Sequence, residues 1–217
     1  MRFLYKKSMG EARSMIACKT LLENWGRQLL KSPEYRELFP LEVVQSGWLG
    51  YPGATETEIA HAEIRLGKPL PPSYRLFLQV TNGWRETGSL AGPLWPVQSI
   101  EWFSVRHQKD FIDPWLIGYH YFDKPPRVPD DVYFVYGDEQ NSFSYLIREE
   151  YFSVTLEISD IGDSAVYLLN PAIIDSDGEW EAWYFEPEIG IRRYRSFKYL
   201  LEGEYKWFLQ SQDLSQT

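Results

Sequence analysis

The residues of this chain with reactive side chains are few in kind, and their spacing fits no familiar reaction. The histidines are His61, His107 and His120, and no two stand four apart on a helix. No Cys/His cluster accompanies them, so no zinc template is present. Cys18 is the sole cysteine, which rules out an internal disulfide and suits a reducing compartment. No histidine or helix start lies beside it in sequence, so it reads as a small hydrophobe rather than a nucleophile. Asp175-Ser-Asp177-Gly178-Glu179 has acidic spacing, but a calcium loop needs its glycine sixth and a glutamate twelfth, and here the glycine is fourth. A hairpin turn is the expectation. There is no P-loop, no dinucleotide fingerprint and no Gly-x-Ser-x-Gly elbow. A glycosidase would need two carboxylates facing across a sugar-sized cleft. With 31 acids, chance pairs are everywhere, and spacing alone selects none. The doublets Asp130-Asp131, Asp138-Glu139 and Glu149-Glu150 and the series from Asp175 to Glu188 read as solvated turns and edges. The expectation is therefore no catalytic, cofactor or metal site.

The elements that would position any surface are densest from Gly47 to Trp84. Thr55-x-x-Glu58 has the spacing of a capping box, in which the threonine oxygen accepts the Glu58 N–H and the glutamate reaches back. Ile59, Ala62, Glu63 and Leu66 continue at helical spacing, and Gly67 suits the left-handed end of a helix. Pro69, Pro71 and Pro72 forbid continuation. Pro72 is nevertheless suited to start a second helix, whose first N–H needs no partner. Tyr74, Phe77 and Leu78 then give that helix a bulky face before the Asn82-Gly83 turn. Helices are predicted over 55–66 and 72–81.

This segment resembles a known signature. Glu63-Ile-Arg-Leu-Gly-Lys-Pro-Leu-Pro-Pro-Ser-Tyr74, followed by Phe77-Leu78 and Asn82-Gly83-Trp84, is similar to the SUKH superfamily of the cell-wall-assembly-regulator (Smi/Knr) type. Leu94 to Phe103 resembles that family's strand and proline-bearing turn leading into a tryptophan-containing helix start. Leu156-Glu-Ile-Ser-Asp, Leu168-Leu-Asn-Pro171, Glu181-x-Trp183 and the Ser196-Phe197 helix follow in the family's order, so the resemblance spans roughly residues 47–209. It implies a protein-binding domain without a catalytic site. Its bacterial members are implied to be immunity proteins that neutralise toxins, often nucleases.

The remaining elements follow from pattern. Met15, Cys18, Leu22, Trp25 and Leu29 step by three and four, which predicts an amphipathic helix over 11–30. Its apolar stripe would pack on the body or dock a partner chain. Pro33 to Pro40 reads as a linker or second helix. Asp113 to Gly118 reads as a turn, and Lys124-Pro-Pro-Arg-Val-Pro as a break. Strands are predicted at Val132–Tyr136, Ser144–Ile147, Val154–Ile158, Ala165–Leu169 (ended by Asn170-Pro171), Trp180–Phe185 and a short edge piece at Ile191–Tyr194. Ser196 would cap a last helix over 197–209. The fold class is α+β, a mainly antiparallel sheet with helices packed on it and an appended amino-terminal helix. The expected division is a basic amphipathic extension, 1–45, and a SUKH-like domain, 46–217.

Charge bounds the partners. The chain totals −9, yet residues 1–36 carry eight Lys/Arg against three Glu, a net of +5 that leaves −14 on the rest. An acidic body disfavours nucleic acid and anionic membranes and suits a basic protein. No apolar run approaches the ~18–20 residues of a membrane span. The start lacks the apolar core of a secretory signal, so a cytoplasmic location is expected. Aromatics make up 17% of residues, which suits either a β-rich core or a sugar- or partner-binding face. The functional expectation is an immunity protein binding a cognate, basic toxin. A regulatory scaffold and a carbohydrate-active enzyme are the alternatives. The candidate binding residues are Trp48, Tyr51, Trp84, Asp138, Glu139, Asp175, Asp177 and Glu179.

Overall fold

The computed structural model describes residues 2–119, 126–136 and 147–214. Nine α-helices and five strands occur among them. The amino-terminal third is helical: α1 (Arg2–Leu29), α2 (Pro33–Glu37), α3 (Leu41–Ser46), α4 (Glu56–Leu66) and α5 (Pro72–Val80). Then come β1 (Glu101–Trp102) and a helical segment made of α6 (Phe103–His107), a π-helical turn (Gln108–Ile112) and α7 (Asp113–Tyr119). A short α8 (Asp130–Tyr133) and a 3₁₀ helix (Glu149–Val154) precede β2 (Leu156–Glu157), β3 (Val166–Ile174), β4 (Trp180–Glu186), β5 (Gly190–Tyr194) and α9 (Phe197–Leu214). The sheet is antiparallel in the order β1-β2-β3-β4-β5, in agreement with the expected α+β class.

Helices cover both faces of this sheet. Tyr167, Leu169, Ala182 and Tyr184 face a core shared with Leu22, Trp25 and Leu29 of α1, with α4 and α5, and with Phe197, Leu200 and Leu201 of α9. Val166, Leu168, Trp183 and Phe185 alternate to the other face, against Phe103, Ile112 and Phe152. That second core is built from rings: Phe152 lies edge-on to Trp183 and to Phe185, with centroids 5.6 and 4.9 Å apart. Trp115 meets Phe185 edge-on at 5.4 Å. Such pairs contribute ~0.5–1.5 kcal/mol each beyond burial. Much of the aromatic surplus is therefore core packing.

Local signals hold where backbone chemistry decides. Both hydrogen bonds of the Thr55–Glu58 capping box form, and Gly67 ends α4 at φ 70°. α5 starts on Pro72 as expected.

Three expectations are corrected. Val132–Tyr136 is not a strand. Pro129 and the acids Asp130-Asp131 open α8 there, and Tyr133 and Tyr136 are held by their hydroxyls rather than by a ladder. Asp113 to Gly118 is not a turn but helix, with Pro114 in its first turn, where no N–H is missed. Asn170-Pro171 does not end its strand. β3 runs to Ile174 through a register shift between Asn170 and Ile174, which spares Pro171 a ladder bond. The Ser144–Ile147 expectation lies mostly outside the described residues; of the break at 124–129, residues 126–129 are described and form no helix or strand.

Two buried carboxylates fasten β5. Glu204 of α9 receives both Arg192 Nη2 and Tyr194 Oη, at 2.8 and 2.7 Å. Replacing Glu204 with Ala should lower unfolding free energy by about 3–5 kcal/mol, because a buried guanidinium loses its carboxylate. Urea denaturation of Glu204→Ala and of Glu204→Ala with Arg192→Leu should show the double variant to be the more stable.

Candidate functional site

The described candidates form two patches at opposite ends of α5, a nine-residue helix about 13 Å long. At its N-terminus lies the β3–β4 turn. Asp175 Oδ1 accepts from the N–H groups of Asp177 and Glu179, at 2.8 and 2.9 Å, which closes the expected hairpin. Asp175 and Asp177 stay exposed. Glu179 turns inward: its Oε1 accepts from Ser73 N–H at 2.8 Å and its Oε2 from the Ser73 hydroxyl at 2.6 Å. It thus supplies a carboxylate to the first turn of α5, where backbone N–H groups are otherwise unpaired. Partial burial pushes its pKa upward, against these hydrogen bonds.

At the C-terminus of α5 lies a groove of about 720 Å³ between α1 and the Ser46–Gly53 loop. Met15, Ile16, Lys19, Glu23 and Arg27 form one wall; Trp48, Tyr51, Pro52 and Val80 line the other. The loop is pressed against its neighbours. A side chain at Gly26 would collide with the Gly47 carbonyl, and one at Gly53 with the Gln79 carbonyl, so both must be glycine for α1, loop and α5 to meet. Tyr51 N–H donates to Thr81 Oγ1 at 2.9 Å. The Arg85 guanidinium donates to the Leu49 carbonyl at 3.0 Å and lies 3.9 Å from the Tyr51 ring centroid. Tyr51 is 41% exposed. Trp48 is half-buried and packs edge-on to Trp84 at 5.3 Å. Trp84 is fully buried and reaches the groove through Trp48. Asp138 and Glu139 lie outside the described residues. Glu23, the acid lining this groove, is paired with Arg27 at 3.6 Å. The groove is shaped to bind apolar groups, with no second carboxylate facing Glu23 across it.

One strongly shifted carboxyl was not legible in sequence. Glu157 on β2 is fully buried, and its Oε1 lies 2.9 Å from His107 Nε2. Arg106 Nη1 is 3.9 Å from Oε2, which has no hydrogen-bond partner. Burial raises the carboxyl from its ordinary 4.5 to about 8, only partly offset by Arg106. Burial and Arg106 lower the imidazole. At neutral pH the pair therefore holds one proton and little net charge. No substrate reaches Glu157 in this conformation. The available signal was a lone glutamate between Leu156 and Ile158, in a strand buried on both faces. Glu181 in β4 carries the same signal; it and Glu186, expected among solvated turns and edges, are instead buried in β4. Cys18 is half-buried, and burial pushes its thiol up to about 12, so it is no nucleophile. His61 is exposed on α4, and His120 lies outside the described residues. Among the described residues no group of three or more His, Cys, Asp or Glu is placed to hold a metal ion. No helix among them is long and apolar enough to cross a membrane.

With this geometry in place, comparison with known proteins assigns the class. Residues 53–203 match the model of the SMI1 / KNR4 family (SUKH-1), and the chain belongs to that family. A search of curated proteins finds no match. The matched segment holds α4, α5, the whole sheet and the acidic turn. α1, Trp48 and Tyr51 precede it.

Glu157 makes a pH prediction whose sign is fixed. Its folded pKa lies above its unfolded value, so its stabilising contribution is full below about pH 4.5 and is lost as pH rises to about 8. Denaturation midpoints of wild type and Glu157→Gln at pH 5, 7 and 9 should therefore shift in the variant's favour with rising pH. A pH-independent difference would mean that the native carboxyl is ionised throughout.

Proposed function

We propose that this chain is a non-enzymatic immunity protein that neutralises a cognate toxin by docking on it. The observation that carries this reading is the −14 net charge left to the chain after residue 36, in which the family-matching segment lies. A nuclease toxin must present a positive groove to hold phosphates. An acidic face covers such a groove by mimicking substrate charge, or docks beside it and blocks access.

Of the two patches, the β3–β4 turn has the charge for that role. Asp175 and Asp177 are exposed there, on a hairpin fixed to α5 through Glu179. The groove at the other end of α5 is lined by Lys19, Glu23 and Arg27 and lacks an exposed acidic cluster to attract a basic toxin. Asp138 and Glu139 extend the acidic candidates on sequence grounds. Trp48 and Tyr51 remain aromatic anchors if the partner reaches around α5, and Trp84 supports them from beneath.

The test is association with a panel of basic nuclease toxin domains, measured by interferometry across a salt series. Raising salt from low to high should slow association by about tenfold or more, since exposed charges are screened beyond a Debye length of ~8–10 Å. Asp175→Lys with Asp177→Lys should slow it comparably at low salt. Glu179 is left intact because its reversal would also damage α5. Association indifferent to both salt and reversal would remove the acidic turn as the docking surface.

A further inference from the structure

The apolar stripe of α1 runs off the body. Leu22, Trp25 and Leu29 are fully buried, Cys18 is half-buried, and every residue from Gly10 to Ala17 is exposed. Ile16 is 67% exposed and Met15 37%, and both face the groove beside Trp48 and Tyr51. An isolated helical arm of this length is marginal in water without something to pack against.

The sequence of the arm specifies what that something is. Residues 11, 15 and 19 follow one another at steps of four, so they form one ridge on α1. They read Glu-Met-Lys. Reversed about Met15, this ridge is complementary to itself: Glu11 falls opposite Lys19 and Lys19 opposite Glu11. We infer that α1 pairs antiparallel with α1 of a second copy, with Met15 at the two-fold axis and the arm of each copy lying in the groove of the other.

The chemistry of both surfaces fits this occupant. The two-fold places the two bodies at opposite ends of the helix pair, so neither obstructs the other. Where the i±4 ridges of two helices interdigitate, the axes cross at about −50° and 8–10 Å apart, which brings the two Glu11–Lys19 pairs flanking Met15 within reach. Met15 and Ile16 of each copy are then covered, together with the exposed parts of Trp48 and Tyr51 of the other. An isologous interface of this kind duplicates every contact. It leaves the β3–β4 turn free at the far end of α5 and does not depend on the toxin reading.

The experiment is sedimentation equilibrium of the full chain, as wild type, Glu11→Lys, Lys19→Glu and the double exchange. Glu11 and Lys19 are both exposed, so none of the variants threatens the core, and thermal melts check this. The wild type should dimerise. Each single exchange sets two like-charged pairs against each other and should raise the dimer dissociation constant about tenfold or more, while the double exchange should return it to within about threefold of wild type. A wild type that stays monomeric to about 100 µM overturns the inference. So does a dimer indifferent to both single exchanges, or one that the double exchange fails to restore.

Discussion

The arrangement of this protein depends on two adjacent arginines that point to opposite faces of one edge strand. Arg192 faces α9 and donates to Glu204; Arg193 faces the other way and donates to Glu181 at 3.1 Å. Glu181 also receives Tyr133, Tyr136, Asn170 and Trp183, at 2.7 to 3.0 Å. An ionised carboxylate removed from water costs several kcal/mol, and it is tolerated only where its lone pairs are filled. Five donors fill them here. Net stabilisation from such a cluster is small, but its positional demand is strict. β3, β4, β5 and the segment after α8 must all converge on one side chain.

α5 carries that order to the surface. Its N-terminus is tied to the β3–β4 turn through Ser73 and Glu179. Its C-terminal turn receives Ala54 N–H at the Leu78 carbonyl, 2.7 Å away, and Thr81 binds Tyr51. Both surface patches therefore sit on loops clamped to a helix that Tyr74, Phe77 and Leu78 anchor in the core. Binding groups held this way lose little entropy on association. The two ends differ in charge: Asp175 and Asp177 are exposed at one, and Lys19 and Arg27 line the groove at the other.

Sequence reasoning succeeded where the determinant is local. The Thr55–Glu58 box, the Gly67 terminus, the Pro72 start and the Asp175–Glu179 hairpin are each fixed by a few backbone groups and the side chain beside them. It failed where a distant partner decides. Tyr133 and Tyr136 look like strand residues until their hydroxyls find Glu181, 48 and 45 residues away. His107 looks idle until Glu157 arrives beneath it, 50 residues later in the chain. Pro171 looks like a terminator until a bulge spares its missing N–H.

The sequence by itself determined the α+β class, the family signature and the charge split. These depend on residue identity and short spacing, which linear order preserves. Only the tertiary structure decided that Trp84 is core while Trp48 is half-open, that Glu179 serves α5 rather than solvent, and that the α1 stripe leaves the body at Cys18. Burial is set by what lies across the fold. An aromatic or a carboxylate has the same sequence signature whether it meets water, a helix terminus or another ring.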